Sequence, residues 1–227
     1  VRRGEELTLI NPLRMDDDGL SALDRLGKVR HVLRLGPFHG VDDPFYMDRY
    51  KPQFWAQPGA QAYPQPTIDQ PLSDAGPLPF DGAELIAFKH TAQPEGVLVL
   101  NQAPGLLLTT DAIQHYGDYS HNNLPARLLM PFIGFPRTTL VGPLWLKVMT
   151  PEGGSLRADL ERILDNSFDR LLSAHGTLLK SGAHAAVKAA IQRAFSAKYV
   201  YCSGIKFEPV LSHSATDTNI FIRSAYL

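Results

Sequence analysis

The chain contains 227 residues, of which 44% are apolar and 20% are charged, and its formal net charge is −1. This length and apolar content suffice for one domain with a substantial core. Because a nearly neutral chain has no basic excess to neutralise phosphates, the composition argues against nucleic acid as a partner. The single cysteine, Cys202, excludes an intramolecular disulfide framework and is typical of a reducing compartment.

The sequence contains no pattern that predicts a secretory signal or a membrane span. The basic residues Arg2 and Arg3 are not followed by an apolar stretch of the signal-peptide type. The most apolar segment, 128–149, is interrupted by prolines and by Arg137. We therefore expect a soluble, cytoplasmic protein with no membrane partner.

Strands and helices are predicted to alternate in the first part of the chain. Acidic residues at 16–18 are N-cap candidates for a helix whose apolar residues recur at helical spacing, and Gly27 ends it. Asp43 followed by Pro44 is typical of the start of a second helix. Strands are predicted at 7–10, 29–35 and 54–56.

The rest of the chain is predicted to begin with a loop, which is followed by three consecutive strands. Helices and a strand then alternate again toward the C-terminal end. Residues 58–79 contain six prolines and no long apolar run, which favours an extended loop. We expect strands at 84–88, 97–100 and 106–109, irregular structure at 112–154, a helix at 155–164, a strand at 168–174 and a helix at 181–197. This order of elements favours an α/β layered domain.

Four apolar runs lead to residues of the types that bind metal ions, namely His39, His90, Asp111 and His175. Imidazole and carboxylate groups bind hard-to-borderline metals at neutral pH, and rigid strands present them well. Because a strand delivers its last residue to the edge of a sheet, these side chains are candidates for one shared site.

Together these segments resemble the metallo-β-lactamase fold superfamily, whose first ligand motif is His-x-His-x-Asp-His after a strand. The corresponding residues here are His39-Gly40-Val41-Asp42-Asp43-Pro44. His39 and Asp43 match the motif, whereas Val41 and Pro44 stand where histidines are expected. Asn11 also departs from the family, which usually has an aspartate after its early strand.

At the later ligand positions of the family, this chain has residues of the expected types, unlike at Val41 and Pro44 of the first motif. His90 matches a histidine that ends a strand, and His175 in Ala-His-Gly matches the last histidine. Asp111 matches the aspartate that bridges two metals, with Thr110 in place of the usual glycine. The resemblance implies a four-layer αββα sandwich over residues 1–197, followed by a C-terminal tail at 198–227.

The resemblance implies metal ligation by His39, Asp43, His90, Asp111 and His175. One half-site keeps His39, His90 and a share of Asp111, and the other keeps Asp43, His175 and the same aspartate. A catalytic zinc-type site needs about three protein ligands and one open position. We therefore expect one Zn or Fe ion rather than two, or no metal at all.

Each candidate residue also has a structural interpretation. A strand-end histidine is commonly a hydrogen-bonded structural residue, Asp43 before Pro44 is a candidate helix N-cap, and Asp111 is compatible with an ordinary turn. The cluster of His115, Asp118 and His121 is interpreted as solvated loop, and Cys202 as a packed thiol rather than a nucleophile.

Two functions from different classes follow. The first is a metal-dependent hydrolase acting on an ester, amide or thioester of a small molecule, with Asp43 orienting or deprotonating the attacking water. Phe132, Phe135 and Trp145 would wall its apolar pocket. The second is a fold relative that has lost metal binding and serves as a binding or structural module.

Two further expectations concern particular segments. Val41 is expected to point toward the site and to pack against apolar neighbours, which would close one coordination position. The tail is expected to be loosely attached, because Ser212 to Asn219 offers no apolar face to bury.

Overall fold

The computed structural model describes residues 1–120 and 122–196. The helices in these ranges are α1 (Asp17–Leu26), α2 (Asp43–Tyr50), α3 (Leu124–Leu129), α4 (Pro143–Met149), α5 (Arg157–Arg162) and α6 (Ala183–Ala194). The strands are β1 (Arg2–Arg3), β2 (Glu6–Ile10), β3 (Lys28–Arg34), β4 (Gln53–Ala56), β5 (Gln70–Pro71), β6 (Ala83–Ala87), β7 (Gly96–Leu100), β8 (Leu106–Thr109), β9 (Ile113–His115), β10 (Thr139–Val141) and β11 (Arg170–Ser173).

The strands form two principal sheets and a short pair. The first sheet has the order β1-β2-β3-β4-β5, with β1 antiparallel to β2 and the other neighbours parallel. The second has the order β11-β8-β7-β6, in which β11 is parallel to β8 and the remaining neighbours are antiparallel. Strands β9 and β10 form the antiparallel pair.

Successive residues of the strands alternate between different cores, as the period of two along a strand requires. In β4, Phe54 packs with residues of α1 and α2, whereas Trp55 packs with residues of the second sheet. In β7, Leu98 lies between the sheets, whereas Val97 and Val99 pack with residues of α4, α5 and α6. The two sheets therefore face each other, and the helices cover their outer faces.

The predicted strands and helices outside 112–154 agree with the structure to within a few residues. The prediction that 112–154 is irregular is wrong, because this segment contains β9, α3, β10 and α4. These elements are short, and tertiary contacts rather than local periodicity stabilise them. In α4, for example, Trp145 and Met149 are buried in the core beneath the second sheet.

None of the helices in residues 1–120 and 122–196 is both long and apolar enough to cross a bilayer. The predicted tail at 198–227 lies outside the described residues, so its loose attachment stays a prediction. The same holds for the predicted domain boundary at 197.

The assignment of Leu98 to the core between the two sheets can be tested by mutation. Leu98 is fully buried there, so Leu98→Ala should lower the free energy of unfolding by about 2–5 kcal/mol through lost contacts and a cavity. Leu26, at the exposed end of α1, provides the control, since Leu26→Ala removes little buried surface. Urea denaturation of both variants measures the difference, and equal losses would contradict the assigned core.

Candidate metal site

Three predicted ligand residues converge on one point of the structure. The carboxylate of Asp111 lies between two imidazoles, with Oδ2 2.9 Å from His39 Nε2 and Oδ1 2.8 Å from His175 Nε2. The two imidazole rings lie 5.4 Å apart and are tilted by 50° to each other. Within the described part of the chain, these residues form the one group of three whose ligand atoms all lie within 4.8 Å of one another.

The register of two parallel strands explains why Asp111 and His175 meet. Strands β8 and β11 pair with Thr109 opposite Ser173. Asp111 follows Thr109 by two positions, and His175 follows Ser173 by two positions. Because parallel strands end at the same edge of a sheet, the two side chains emerge side by side. His39 lies within the segment that connects β3 of the first sheet to α2, and its ring meets the Asp111 carboxylate from there.

Close backbone contacts fix the segment that carries His175. The Ser173 hydroxyl donates to the His175 carbonyl at 2.6 Å, and the backbone N–H of Thr177 donates to the His115 carbonyl at 2.7 Å. Gly176 has a φ of 92°, and a Cβ there would overlap the His115 carbonyl oxygen. A side chain at Gly176 would therefore force the turn after His175 to move.

The electrostatic state of the cluster follows from these contacts. Burial would raise the pKa of Asp111, but the hydrogen bonds from His175 and His39 hold it well below its usual range. Burial lowers the pKa of His39, yet the hydrogen bond and the negative charge of Asp111 raise it above its usual value overall. Asp111 is therefore the anionic centre of the group.

The donor set fits one metal ion. Two imidazole nitrogens and one carboxylate are a common set of three protein ligands for Zn and for non-haem Fe, which leaves positions open for water or substrate. Ligand atoms on one ion lie about 3 Å apart when each bond is about 2 Å, which is close to the separations between Asp111 and the two histidines.

His90 lies apart from this group, contrary to the prediction that it is a ligand with His39. Its Nδ1 lies 3.1 Å from Oδ2 of Asp159, a buried residue of α5, and its side chain is 61% exposed. The backbone N–H groups of Lys89 and His90 each donate to the Asp159 carboxylate at 2.9 Å. These bonds hold the turn after β6 against α5 and account for the different position of His90.

Asp43 is likewise absent from the group, although it occupies the aspartate position of the motif. The carboxylate is fully buried, and its Oδ2 accepts a hydrogen bond from Arg34 Nε at 2.7 Å. Burial raises the pKa of Asp43 to about 6 despite the neighbouring Arg34 charge. The N-cap alternative is also not met, because α2 has Asp42 as its N-cap residue and Asp43 as its first residue.

Arg34 is a residue of this region that the ligand pattern did not identify. Besides Asp43, its guanidinium donates to the carbonyls of Tyr63 and Gln65, at 2.7 and 3.0 Å. It also lies over the Phe54 ring, 4.9 Å from the centroid. Its sequence signal is a charged residue between Leu33 and Leu35 at the end of an apolar strand.

Glu95 is a second residue that the patterns did not reveal. Its carboxyl is fully buried, accepts a hydrogen bond from Trp145 Nε1 at 2.8 Å and accepts a second hydrogen bond from the Thr110 hydroxyl. Burial raises the pKa of Glu95 to about 8, so the carboxyl is largely protonated at neutral pH. Because Thr110 precedes Asp111, this buried pair supports the backbone of the cluster.

Several expectations about the surroundings are not met. Val41 is 46% exposed, so the prediction that it packs against apolar neighbours is wrong. The aromatic residues expected to wall one pocket are dispersed, since Trp145 is buried against Glu95 and Phe132 is 87% exposed, while Phe135 packs with Tyr116.

The cluster interpreted as solvated loop is only partly described. His115 belongs to β9 and lies 2.8 Å from the Thr139 hydroxyl through Nδ1, and Asp118 accepts a hydrogen bond from the Ser120 hydroxyl. His121 lies outside the described residues.

Comparison with known proteins identifies structural relatives. No family model matches the chain, and no curated protein matches it in sequence. A metallo-β-lactamase from Cronobacter sakazakii with a HARLDQ motif is 13% identical, with a TM-score of 0.51 over 86% of this chain and 84% of that chain. This match is evidence for the fold and, at such low identity, for nothing beyond the fold.

Two further solved structures are similar at lower scores. A metallo-β-lactamase from Staphylococcus aureus is 11% identical, with a TM-score of 0.48 over 87% of this chain and 62% of that chain. An archaeal metallo-β-lactamase superfamily protein from Sulfolobus tokodaii is 13% identical, with a TM-score of 0.47 over 89% of this chain and 79% of that chain.

The motif named for the Cronobacter protein can be compared letter by letter with His39–Pro44. It reads His-Ala-Arg-Leu-Asp-Gln, so it keeps the first histidine and the aspartate. Like this chain, it has no histidine at the third and sixth positions. The two six-residue strings therefore agree at their first and fifth letters only.

The burial of Glu95 generates a prediction about pH and stability. Glu95→Gln should preserve bonds to Trp145 and Thr110, whereas Glu95→Ala should cost about 1–3 kcal/mol for each buried group left without a partner. Because the pKa of Glu95 is raised in the folded state from 4.5 to about 8, its contribution to stability is fully present below pH 4.5. That contribution is lost as the pH rises through about 8.

The stability of the Glu95→Gln variant should therefore rise relative to the wild type as the pH increases from 4.5 to 8. Urea denaturation of both proteins at several pH values in that range measures the change. A stability difference that stays constant with pH would contradict the protonated state assigned to Glu95.

Proposed function

Because the chain has the fold of the metallo-β-lactamase superfamily, we propose that it is a hydrolase that depends on one metal ion. Its substrate would be an ester, an amide or a thioester of a small molecule. The observation that carries the proposal is the convergence of His39, Asp111 and His175 at the edge of the second sheet. Fold alone does not determine function, so the ligand cluster is the decisive support.

The three residues have distinct roles in this proposal. His39 and His175 would each offer an imidazole nitrogen, and Asp111 would supply the negative charge that stabilises a bound cation. A bound Zn or Fe ion supplies Lewis acidity and lowers the pKa of its water to about 7. Each imidazole must be neutral to bind a metal, so metal and proton compete for His39, whose pKa is raised.

A second ion is not part of the proposal. Asp43, which would belong to that second site, is bound to Arg34, and the Arg34 charge already neutralises it. Val41 and Pro44 have no donor atoms in their side chains to complete such a site. Full burial of Asp43 also separates it from solvent water, so we assign it no role in orienting the attacking water.

One cavity of the structure lies beside the first sheet, and none of the three candidate ligands lines it. That cavity has a volume of about 380 Å³, and its lining includes Arg34, Gly36 and Tyr63. It borders the start of the segment that leads to His39. A polar acyl compound of small size is compatible with this environment.

The alternative function is a binding or structural module without a metal. The observation that favours it is that the three side chains pair with one another, because each Asp111 oxygen already has a histidine partner. An ion pair of this kind stabilises a sheet edge without any ligand. Metal content separates the two functions directly.

The main test is the metal content of the full-length protein purified without a chelator. Inductively coupled plasma mass spectrometry should find about one Zn or Fe per chain, because the donor set fits a single three-ligand site. His39→Ala and Asp111→Asn should each weaken metal binding by more than about 100-fold, since even outer-sphere partners of a ligand contribute 10–100-fold.

His90→Ala provides the matched control, because His90 contacts Asp159 and lies outside the cluster. Its metal content and its hydrolysis of simple ester or thioester substrates should equal those of the wild type. If the wild-type protein contains no metal and also binds no added zinc, the metal-dependent hydrolase is excluded. The binding or structural module then remains.

A further inference from the structure

One surface of the molecule exposes an unusual number of large apolar side chains. No residue of α3 is buried, and Leu124 and Phe132 are 69% and 87% exposed. The exposed side of α4 is also apolar. We call this set the apolar face, and it consists of Leu124, Leu128, Leu129, Phe132, Leu144 and Val148.

Each of the two helices exposes apolar side chains on one side, and the helices approach each other at the turn that joins them. Leu124 and Leu128 are separated by one helical turn in α3, as are Leu144 and Val148 in α4, so each pair lies on one side of its helix. The turn after α3 meets the start of α4, since a Cβ at Gly134 would lie 3.5 Å from the Pro143 ring.

The charged residues in the part of the chain that contains α3 and α4 are all basic. No aspartate or glutamate occurs between Asp118 and Glu152, whereas Arg127, Arg137 and Lys147 are exposed. Arg127 is held by the carbonyls of Asn122 and Ser120, at 2.7 and 2.9 Å. Exposed apolar groups therefore stand beside positive charges.

We propose that the apolar face docks on the surface of a lipid bilayer that contains anionic headgroups. Apolar side chains at such a surface enter the boundary between headgroups and acyl chains, and Lys and Arg pair with the anionic lipids. This contact needs no membrane-spanning helix, and it replaces the expectation of no membrane partner, which rested on the lack of a spanning segment in the sequence. It is also independent of the metal site, so each proposal stands or falls without the other.

Charge selects the bilayer over two other occupants. A second copy would meet the same face in a symmetric dimer, which brings the basic residues of both copies together and is unfavourable. The C-terminal residues 197–227 contain three basic and two acidic side chains, so they offer no negative excess to complement the face. An anionic lipid surface complements both the apolar and the charged groups.

Vesicle flotation of the full-length protein tests the proposal. The protein should float with vesicles of phosphatidylcholine and phosphatidylglycerol, should bind pure phosphatidylcholine far less, and should be released by salt. Phe132→Ser should weaken binding at least about tenfold, because it removes the most exposed apolar side chain. Lys147→Glu should weaken it about fivefold or more.

Matched changes elsewhere serve as controls. Leu26→Ser and Arg25→Glu alter exposed residues of α1 and should leave vesicle binding unchanged. Urea denaturation verifies that every variant folds as the wild type does. Binding that is absent, or equal in Phe132→Ser and Leu26→Ser, would overturn the proposal, as would a Phe132-dependent dimer in sedimentation without vesicles.

Discussion

The candidate site depends on a single carboxylate that is shared by two imidazoles from different parts of the chain. Asp111 follows β8, His175 follows β11, and His39 follows β3 in the other sheet, so the Asp111 carboxylate joins the edges of both sheets. The cluster can form only if β11 pairs with β8 in its observed register. A slip by one residue would turn His175 to the other face of the sheet.

Two buried groups around the cluster constrain what it can bind. Arg34 forms a buried ion pair with Asp43 and neutralises its charge. Because of this pairing, the aspartate of the motif is not positioned as a metal ligand. Glu95 is largely protonated at neutral pH and is hydrogen-bonded to Thr110, the residue before Asp111. Neither the Arg34–Asp43 ion pair nor the largely protonated Glu95 adds net negative charge beside Asp111, which favours one cation over two.

Much of the fold was predictable because its longer elements have clear periodicity. The proximity of Asp111 and His175 was predictable because both residues follow apolar strands, and strand ends gather at sheet edges. His90 satisfied the same pattern, but Asp159 binds the turn that carries it, and a contact between residues so far apart in sequence leaves no local signal. Glu95 was not predictable, since a charged residue in a Pro-Glu-Gly turn is normally solvated.

The segment 112–154 shows the same limitation. Its strands have three residues each, and its helices have six and seven, which is too short for apolar periodicity to be recognised. Their stability comes from the pairing of β9 with β10 and from the burial of Trp145. The exposed residues of α3 also lacked a sequence signal, because a run of leucines is as typical of a core helix as of a surface contact.

The central claim is that His39, Asp111 and His175 bind one metal ion together. Crystals of the protein grown with zinc, with diffraction recorded at the zinc absorption edge, test it most directly. One anomalous peak is expected at bonding distance, about 2 Å, from a donor atom of each of the three residues. No peak at that position, or a peak held by His90 and Asp159 instead, would contradict it.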